Sequence, residues 1–131
     1  MTTRVTYKDV RRTLDDVLRR EGKKTTYARR FHAIVGEEYK GWETCLYQHE
    51  GKPLCIVGVA LDELKVPYSP KWETQGVLAV VPMIEEEADI EFTRKAAAFL
   101  EHAQDRQDEG ATWEKAIKSA KRYVRKYADQ F

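Results

Sequence analysis

Chemistry-bearing residues are scarce in this chain. Its 131 residues include two cysteines, three histidines, four prolines and seven glycines. Two cysteines cannot build the disulfide framework that staples small secreted domains. No glycine-rich phosphate loop, serine nucleophile elbow or His-Glu-x-x-His helix occurs, so the sequence offers no signature of those enzyme classes. The longest apolar run, residues 54–61, falls far short of the roughly 20 residues that a membrane-spanning helix needs. Met1-Thr2-Thr3-Arg4 shows no apolar leader, so a cytoplasmic protein with reduced thiols and no membrane partner is expected.

What is present points to one globular domain over residues 1–131. Hydrophobic residues make up 42%, charged residues 34% and aromatics 11%, enough apolar chain to bury a core and too much to remain disordered. The formal charge of +1 hides an asymmetry. Residues 1–40 carry eleven Lys and Arg against six Asp and Glu, residues 41–110 carry six against fourteen, and residues 111–131 carry six against two. Two basic ends thus flank an acidic middle.

Hydrophobic period and capping residues predict an α+β domain, mostly helical, with a small β-hairpin and a C-terminal antiparallel helix pair. Thr6 and Asp9 have the spacing of a capping box, and Tyr7, Val10, Leu14, Val17 and Leu18 make one helical face that stops at Gly22. This predicts a helix over 7–21. Residues 23–30 read as a basic connection. Phe31-His32-Ala33-Ile34-Val35 and residues 43–48 read as strands, giving a hairpin within 31–48. Pro53 suits a first helical turn, so a buried helix is expected over 53–65, with Gly58 kept for close approach by another backbone or ring. Ser69-Pro70 suits a short helical turn. Residues 77–81 are apolar but of undecided type, because Pro82 follows. Glu85-Glu86-Glu87 reads as the acidic lead into a helix over 88–108. Thr112 caps a last helix over 113–128, whose stripe runs through Trp113, Ala116, Ile117, Ala120, Tyr123, Val124 and Tyr127. The expected core is Leu14, Val17, Leu18, Leu46, Leu54, Ile56, Val57, Leu61, Phe99, Leu100, Trp113, Ile117 and Tyr123.

The pattern Cys45-x-Tyr47, Gly51-x-Pro53-x-Cys55-Ile56-Val57-Gly58 and Leu61-x-x-Leu64 resembles small uncharacterised proteins encoded by actinobacteriophages of the mycobacteriophage type. Ala103-Gln104, Gln107-Asp108-x-Gly110-Ala111-Thr112-Trp113 and Ala116 are similar to a second motif of that group. The likeness covers roughly residues 43–65 and 95–120. It departs at Lys65, where a glycine often follows the last Leu of the central helix. The resemblance implies a phage origin and a bacterial host cytoplasm; it implies no catalytic residues and no cofactor.

Three kinds of candidate site follow from the residues. Cys45, His49 and Cys55 are the one cluster of metal-ligand types, but Cys-x3-His-x5-Cys is not a standard zinc spacing, and two buried thiols packing as small hydrophobes explain it as well. His32 or His102 would have to supply a fourth ligand from far away. Cys55 beside a helix start, with His49 as a base, is the cysteine-enzyme version of that cluster; its apolar neighbours argue for an inert thiol. Arg11, Arg12 and Arg19 on the first helix and Lys118, Arg122 and Arg125 on the last can form one basic patch for nucleic acid if those helices pack side by side. Solvated faces would look the same. Trp42, Tyr68 and Trp72, with Tyr39 and Tyr47, are candidate anchors for a protein partner, unless they complete the core. The expectation is a non-enzymatic phage accessory protein that binds a host or phage protein, with nucleic-acid binding through the basic helices as the alternative.

Overall fold

In the computed structural model, which describes residues 2–41 and 43–131, helices carry the architecture and strands only tie its ends. Strand β1 (Thr3–Val5) leads into helix α1 (Tyr7–Glu21). Thr6 Oγ1 accepts the Asp9 N–H at 3.3 Å while Asp9 Oδ2 accepts the Thr6 N–H at 2.9 Å. This is a closed capping box, and it satisfies two of the donors that a helix start leaves open. Val10, Leu14 and Val17 make the buried face of α1.

The segment 27–35 corrects the sequence reading. Helix α2 (Tyr27–Ile34) stands where the first strand of a hairpin was expected, and Thr26 caps it through the Arg29 N–H. Tyr27 and Phe31, four residues apart, give α2 its buried side, a spacing that one helical face and one strand face share, so the pattern alone did not separate the two. Residues 43–47 form no regular strand. The hairpin lies further on: β2 (Gln48–His49) pairs antiparallel with β3 (Lys52–Pro53) around Glu50-Gly51.

Pro53 therefore belongs to β3, and the buried helix α3 (Ile56–Glu63) starts three residues later, with Cys55 as its cap. Cys55 Sγ accepts the Gly58 N–H at 3.2 Å. Ile56 through Leu61 are all buried. The helix ends in a Schellman arrangement: the Val66 N–H reaches Leu61 O at 2.9 Å and the Lys65 N–H reaches Asp62 O at 3.0 Å. Lys65 takes the left-handed conformation this ending requires, at φ 61°, a position that favours glycine.

A short 3-10 turn (Pro70–Trp72) starts at Ser69. The apolar segment of undecided type is helix α4 (Val77–Ala88), which runs through Pro82. Val77, Val80, Val81 and Ile84 are its buried face. Four such side chains outweigh the roughly 3 kcal/mol a helix-interior proline costs, and Pro82 sits on the exposed side, where water reaches the carbonyl it strands. Glu85, Glu86 and Glu87 consequently lie in the last turns of α4 rather than ahead of a helix. Glu85 caps elsewhere, accepting the Phe92 N–H at 3.0 Å.

Residues 90–92 also differ from expectation. They form β4 (Ile90–Phe92), parallel to β1 with Thr3 opposite Ile90 and Val5 opposite Phe92. Helix α5 (Arg94–Asp108) begins only after Thr93, which caps the Ala96 N–H at 3.1 Å. Helix α6 (Trp113–Lys126) follows after four residues and packs back along α5. The buried apolar residues form one cluster drawn from α1 to α6. Leu18, Leu46 and Tyr123 lie at its margin, partly buried, and the other ten expected core residues are buried within it.

Candidate functional site

Helix α6 carries its cations on the side away from the core. Lys115, Lys118, Arg122, Arg125 and Lys126 are all exposed, and their spacing of three and four residues puts them on one face. None of the five forms an ion pair with a carboxylate among the described residues. On α1, Arg19 pairs with Asp16 and Arg20 reaches Glu63 at 2.6 Å, while Lys8, Arg11 and Arg12 form no ion pair among the described residues.

Two grooves run beside α6. The first lies against α1, and Tyr7, Arg11, Lys95, Lys121 and Arg125 line it. It holds four cations and no carboxylate. The Arg11 guanidinium stands 5.2 Å and the Lys95 ammonium 5.7 Å from the centre of the Tyr7 ring. Lys121 ties the helices together through Asp15 at 2.8 Å. The second groove lies against α5 and is lined by His102, Arg106, Arg122, Tyr123, Lys126 and Tyr127. His102 stacks on Tyr123 with ring centres 4.5 Å apart and planes 17° from parallel, and Tyr127 continues the row at 5.0 Å. Burial and Arg106 hold the His102 pKa below its usual value, so this ring is a neutral stacking partner at physiological pH.

Of the predicted basic residues, the structure brings Arg11 and Arg125 into one groove and places Arg122 in the other. Lys118 lies on the α6 face outside both. Arg12 and Arg19 line a separate concavity along α1 that also contains Asp15 and Asp16.

The aromatic anchors have a different placement. Trp72 is 2% exposed. It sits edge-on between Tyr47, at 5.9 Å, and Tyr68, at 5.4 Å. Tyr68 donates its hydroxyl proton to Glu73 at 2.5 Å, and Glu73 also accepts the Tyr47 N–H at 2.9 Å. Burial and that carboxylate push the Tyr68 pKa up to about 12. Trp72 and Tyr47 therefore complete the core, which corrects their reading as contact residues; Tyr68 is half-buried against them, and Trp42 lies outside the described residues. Among the described members of this set only Tyr39 is exposed.

The cysteine cluster divides. Cys45 is exposed and Cys55 fully buried. The His49 ring instead lies 3.9 Å from Glu50, His32 pairs with Glu43, and His102 meets Ser119 at 2.9 Å. Among the described residues no three His, Cys, Asp or Glu side chains gather to hold a metal ion. Cys45 forms part of the wall of a cleft of about 610 Å³ between α2 and the end of α5, together with Tyr27, Glu43, Gln107 and Asp108. The neighbouring Cys55 thiol, and behind it the Gln104 amide, lower the Cys45 pKa against burial and the Asp108 carboxylate, which raise it. Burial pushes the Cys55 thiol and the Asp108 carboxyl up.

Sequence reasoning missed two buried residues of α5, of which Gln107 lines this cleft and Gln104 bonds its Cys45. Gln104 and Gln107 are both buried. Gln107 Oε1 accepts the Ile56 N–H at 2.7 Å and Gln104 Oε1 accepts the Val57 N–H at 3.3 Å. With Cys55 on the Gly58 N–H, the first three amides of α3 all have side-chain partners. The remaining amide of Gln104 donates to Cys45 Sγ at 3.1 Å. The signal was two glutamines on the same stripe of α5 as Leu100 and Ala103, since a polar residue on a buried stripe needs partners there.

No family model, curated protein or solved structure matches the chain. Among the described residues, no helix is long and apolar enough to cross a membrane.

Proposed function

We propose that this is a non-enzymatic nucleic-acid-binding protein whose α6 face meets the phosphate backbone. The observation that carries the reading is the row of five exposed α6 cations without carboxylate partners. Unpaired Lys and Arg neutralise phosphates and release the counterions condensed on the nucleic acid, whereas cations already tied to carboxylates gain little. The flanking grooves add tyrosine and histidine rings beside the cations, a combination suited to stacking unpaired bases. Single-stranded nucleic acid is therefore the favoured ligand. The phage setting implied by the Cys45-to-Leu64 motif belongs to this proposal as its biological context.

The test is fluorescence anisotropy with labelled single-stranded and duplex oligonucleotides across a salt series. Binding should weaken with salt, with a log–log slope of about −0.7 for each single-strand phosphate contacted, and the single strand should bind more tightly than the duplex. Flat, salt-independent anisotropy would sink the reading.

A second reading, binding of a host or phage protein, draws on α4. Leu78 is 58% exposed, and Ala79 and Pro82 beside it are exposed too. This is a small apolar strip on a charged surface, of the kind that partners cover. Capture of the tagged chain from bacterial lysate, with and without nuclease, separates the two. Retention of one protein after nuclease, lost on Leu78→Asp, would favour the α4 reading.

A further inference from the structure

We infer that the groove where α1, α5 and α6 meet binds a phosphomonoester, the terminal phosphate carried by the end of a single strand or by a free mononucleotide. The strand-end form rests on the nucleic-acid reading above through Arg125, which belongs both to the α6 row and to this groove. Tyr7, Arg11 and Lys95 lie outside that row and are specific to the pocket. Tyr7 is its fixed part. The Tyr7 ring meets the fully buried Phe99 edge-on, with centres 5.3 Å apart, so it is seated on the core. Arg11 and Lys95 gather at that ring from two different helices, 5.2 Å and 5.7 Å from its centre. The electron-rich ring attracts each cation, and the one-turn spacing along α1 sets Arg11 beside Tyr7. Lys121 is held across the helix pair by Asp15 at 2.8 Å.

The charges in the pocket do not balance. Asp15 neutralises Lys121. Among the described residues, Arg11, Lys95 and Arg125 form no ion pair with a carboxylate, and no carboxylate lines the groove. Like charges brought together repel, and apolar walls such as Val124 concentrate their field. A bound anion removes that repulsion. A phosphodiester, with its single charge, would leave most of it in place. A phosphomonoester carries about −1.5 to −2 at pH 7 and three strong acceptor oxygens, one for each of the three unpaired cations.

Size narrows the ligand further. The pocket holds about 240 Å³, below the roughly 300–1,000 Å³ of sites that enclose a whole small molecule. It therefore takes the phosphate and leaves sugar and base outside. A strand anchored there by its end continues past Arg122 and Lys118, which lie one and two turns back from Arg125 along α6. The end of the strand and its backbone thus meet different residues, and the two contributions can be separated.

The test measures anisotropy of one internally labelled single strand in three forms, with a 5′-phosphate, a 3′-phosphate or hydroxyls at both ends. A phosphorylated form should bind the full-length wild-type chain about tenfold more tightly than the hydroxyl form, the worth of one charge-assisted hydrogen bond. Arg11→Gln combined with Lys95→Gln should bring that ratio close to one, whereas Lys118→Gln should weaken all three forms and keep it. A second arm compares thymidine 5′-monophosphate with thymidine by thermal shift; the monophosphate alone should raise the melting temperature, and the double substitution should abolish the rise. Equal binding of the three strands overturns the inference and leaves the α6 reading standing. A ratio that survives the double substitution overturns it as well. If no strand binds, the nucleic-acid reading fails and the second arm decides: a shift with the monophosphate keeps the pocket as a mononucleotide site, and no shift overturns it. The comparison of strands on the wild-type chain needs no variant to fold.

Discussion

The carbonyl oxygen of Tyr47 occupies the place where a side chain of Gly58 would stand. A Cβ built on Gly58 would lie 2.3 Å from that oxygen and 3.1 Å from the carbonyl carbon. The central helix and the hairpin strand are thus in backbone contact, and the contact is what requires glycine in a helix interior.

Gly58→Ala therefore sets two effects against each other. Alanine gains about 1 kcal/mol of helix propensity. The clash is with backbone rather than with a flexible side chain, and overpacking of this kind costs about 1–3 kcal/mol or more. The clash wins, and the variant should melt several degrees below the wild type in a calorimetric scan. An equal or higher melting temperature would mean that the strand yields without cost.

Gln107→Leu should be destabilising although leucine suits a buried site. It leaves the Ile56 N–H without its partner at 2.7 Å, at a cost of about 1–3 kcal/mol for a buried unsatisfied donor. Urea denaturation would show a lower midpoint with an unchanged slope. A midpoint equal to that of wild type would show that water replaces the glutamine.

The end of α3 offers a gain. Lys65 is held at φ 61°, where a side chain is strained by about 1–2 kcal/mol. Glycine removes that strain and gives back up to about 1 kcal/mol through the freer unfolded chain. Lys65→Gly should stabilise by up to about 1 kcal/mol, read as a raised denaturation midpoint. A lowered midpoint would mean that the lysine stem contributes packing greater than the strain it bears.

The capping box makes a pH prediction. Hydrogen bonds from the Thr6 backbone N–H and hydroxyl hold the Asp9 pKa below its ordinary value of 3.8. A depressed carboxylate stabilises the fold above its unfolded pKa, and the contribution fades as pH falls through the lower folded value. Asp9→Asn should thus weaken the protein near neutral pH, by about 1 kcal/mol as for other helix caps, and the difference from wild type should shrink below about pH 4. A difference constant across that range would remove the charged cap from the account.

How much of this was legible depended on period and length. Helices α1 and α6 repeat an apolar stripe over three or more turns behind a Thr cap, and both were readable to within about two residues. Helix α2 is two turns long, and Arg29 and Arg30 drown its Tyr27–Phe31 pair. Arg30 looked like surface charge, yet it donates to Leu54 O at 2.9 Å and Pro53 O at 2.6 Å, a role no local pattern announces. The three-residue strands β1 and β4 are too short for alternation to register, and they pair across most of the chain. Helix α4 was hidden by Pro82, whose penalty tertiary burial overrides. The α6 cations could be read because a helix face is set by sequence spacing alone. The capping of α3 could not, since two of its first three amides find their partners in glutamines on another helix.

That spacing allows the α6 face to be tested by charge. Lys118→Glu with Arg122→Glu removes two cations that have no described ion-pair partner. If each meets a phosphate, the salt slope of single-strand binding should shrink by roughly 0.7 per site lost, beyond the general weakening at low salt. The same reversal at Lys71 is the control. Lys71 already pairs with Glu87 at 3.2 Å and lies on the acidic middle of the chain, so binding should change little there. Both variants alter exposed positions and should keep the wild-type stability to within about 0.5 kcal/mol. Equal loss of binding at both places would make the attraction one of net charge, and no loss at Lys118 and Arg122 would remove α6 as the interface.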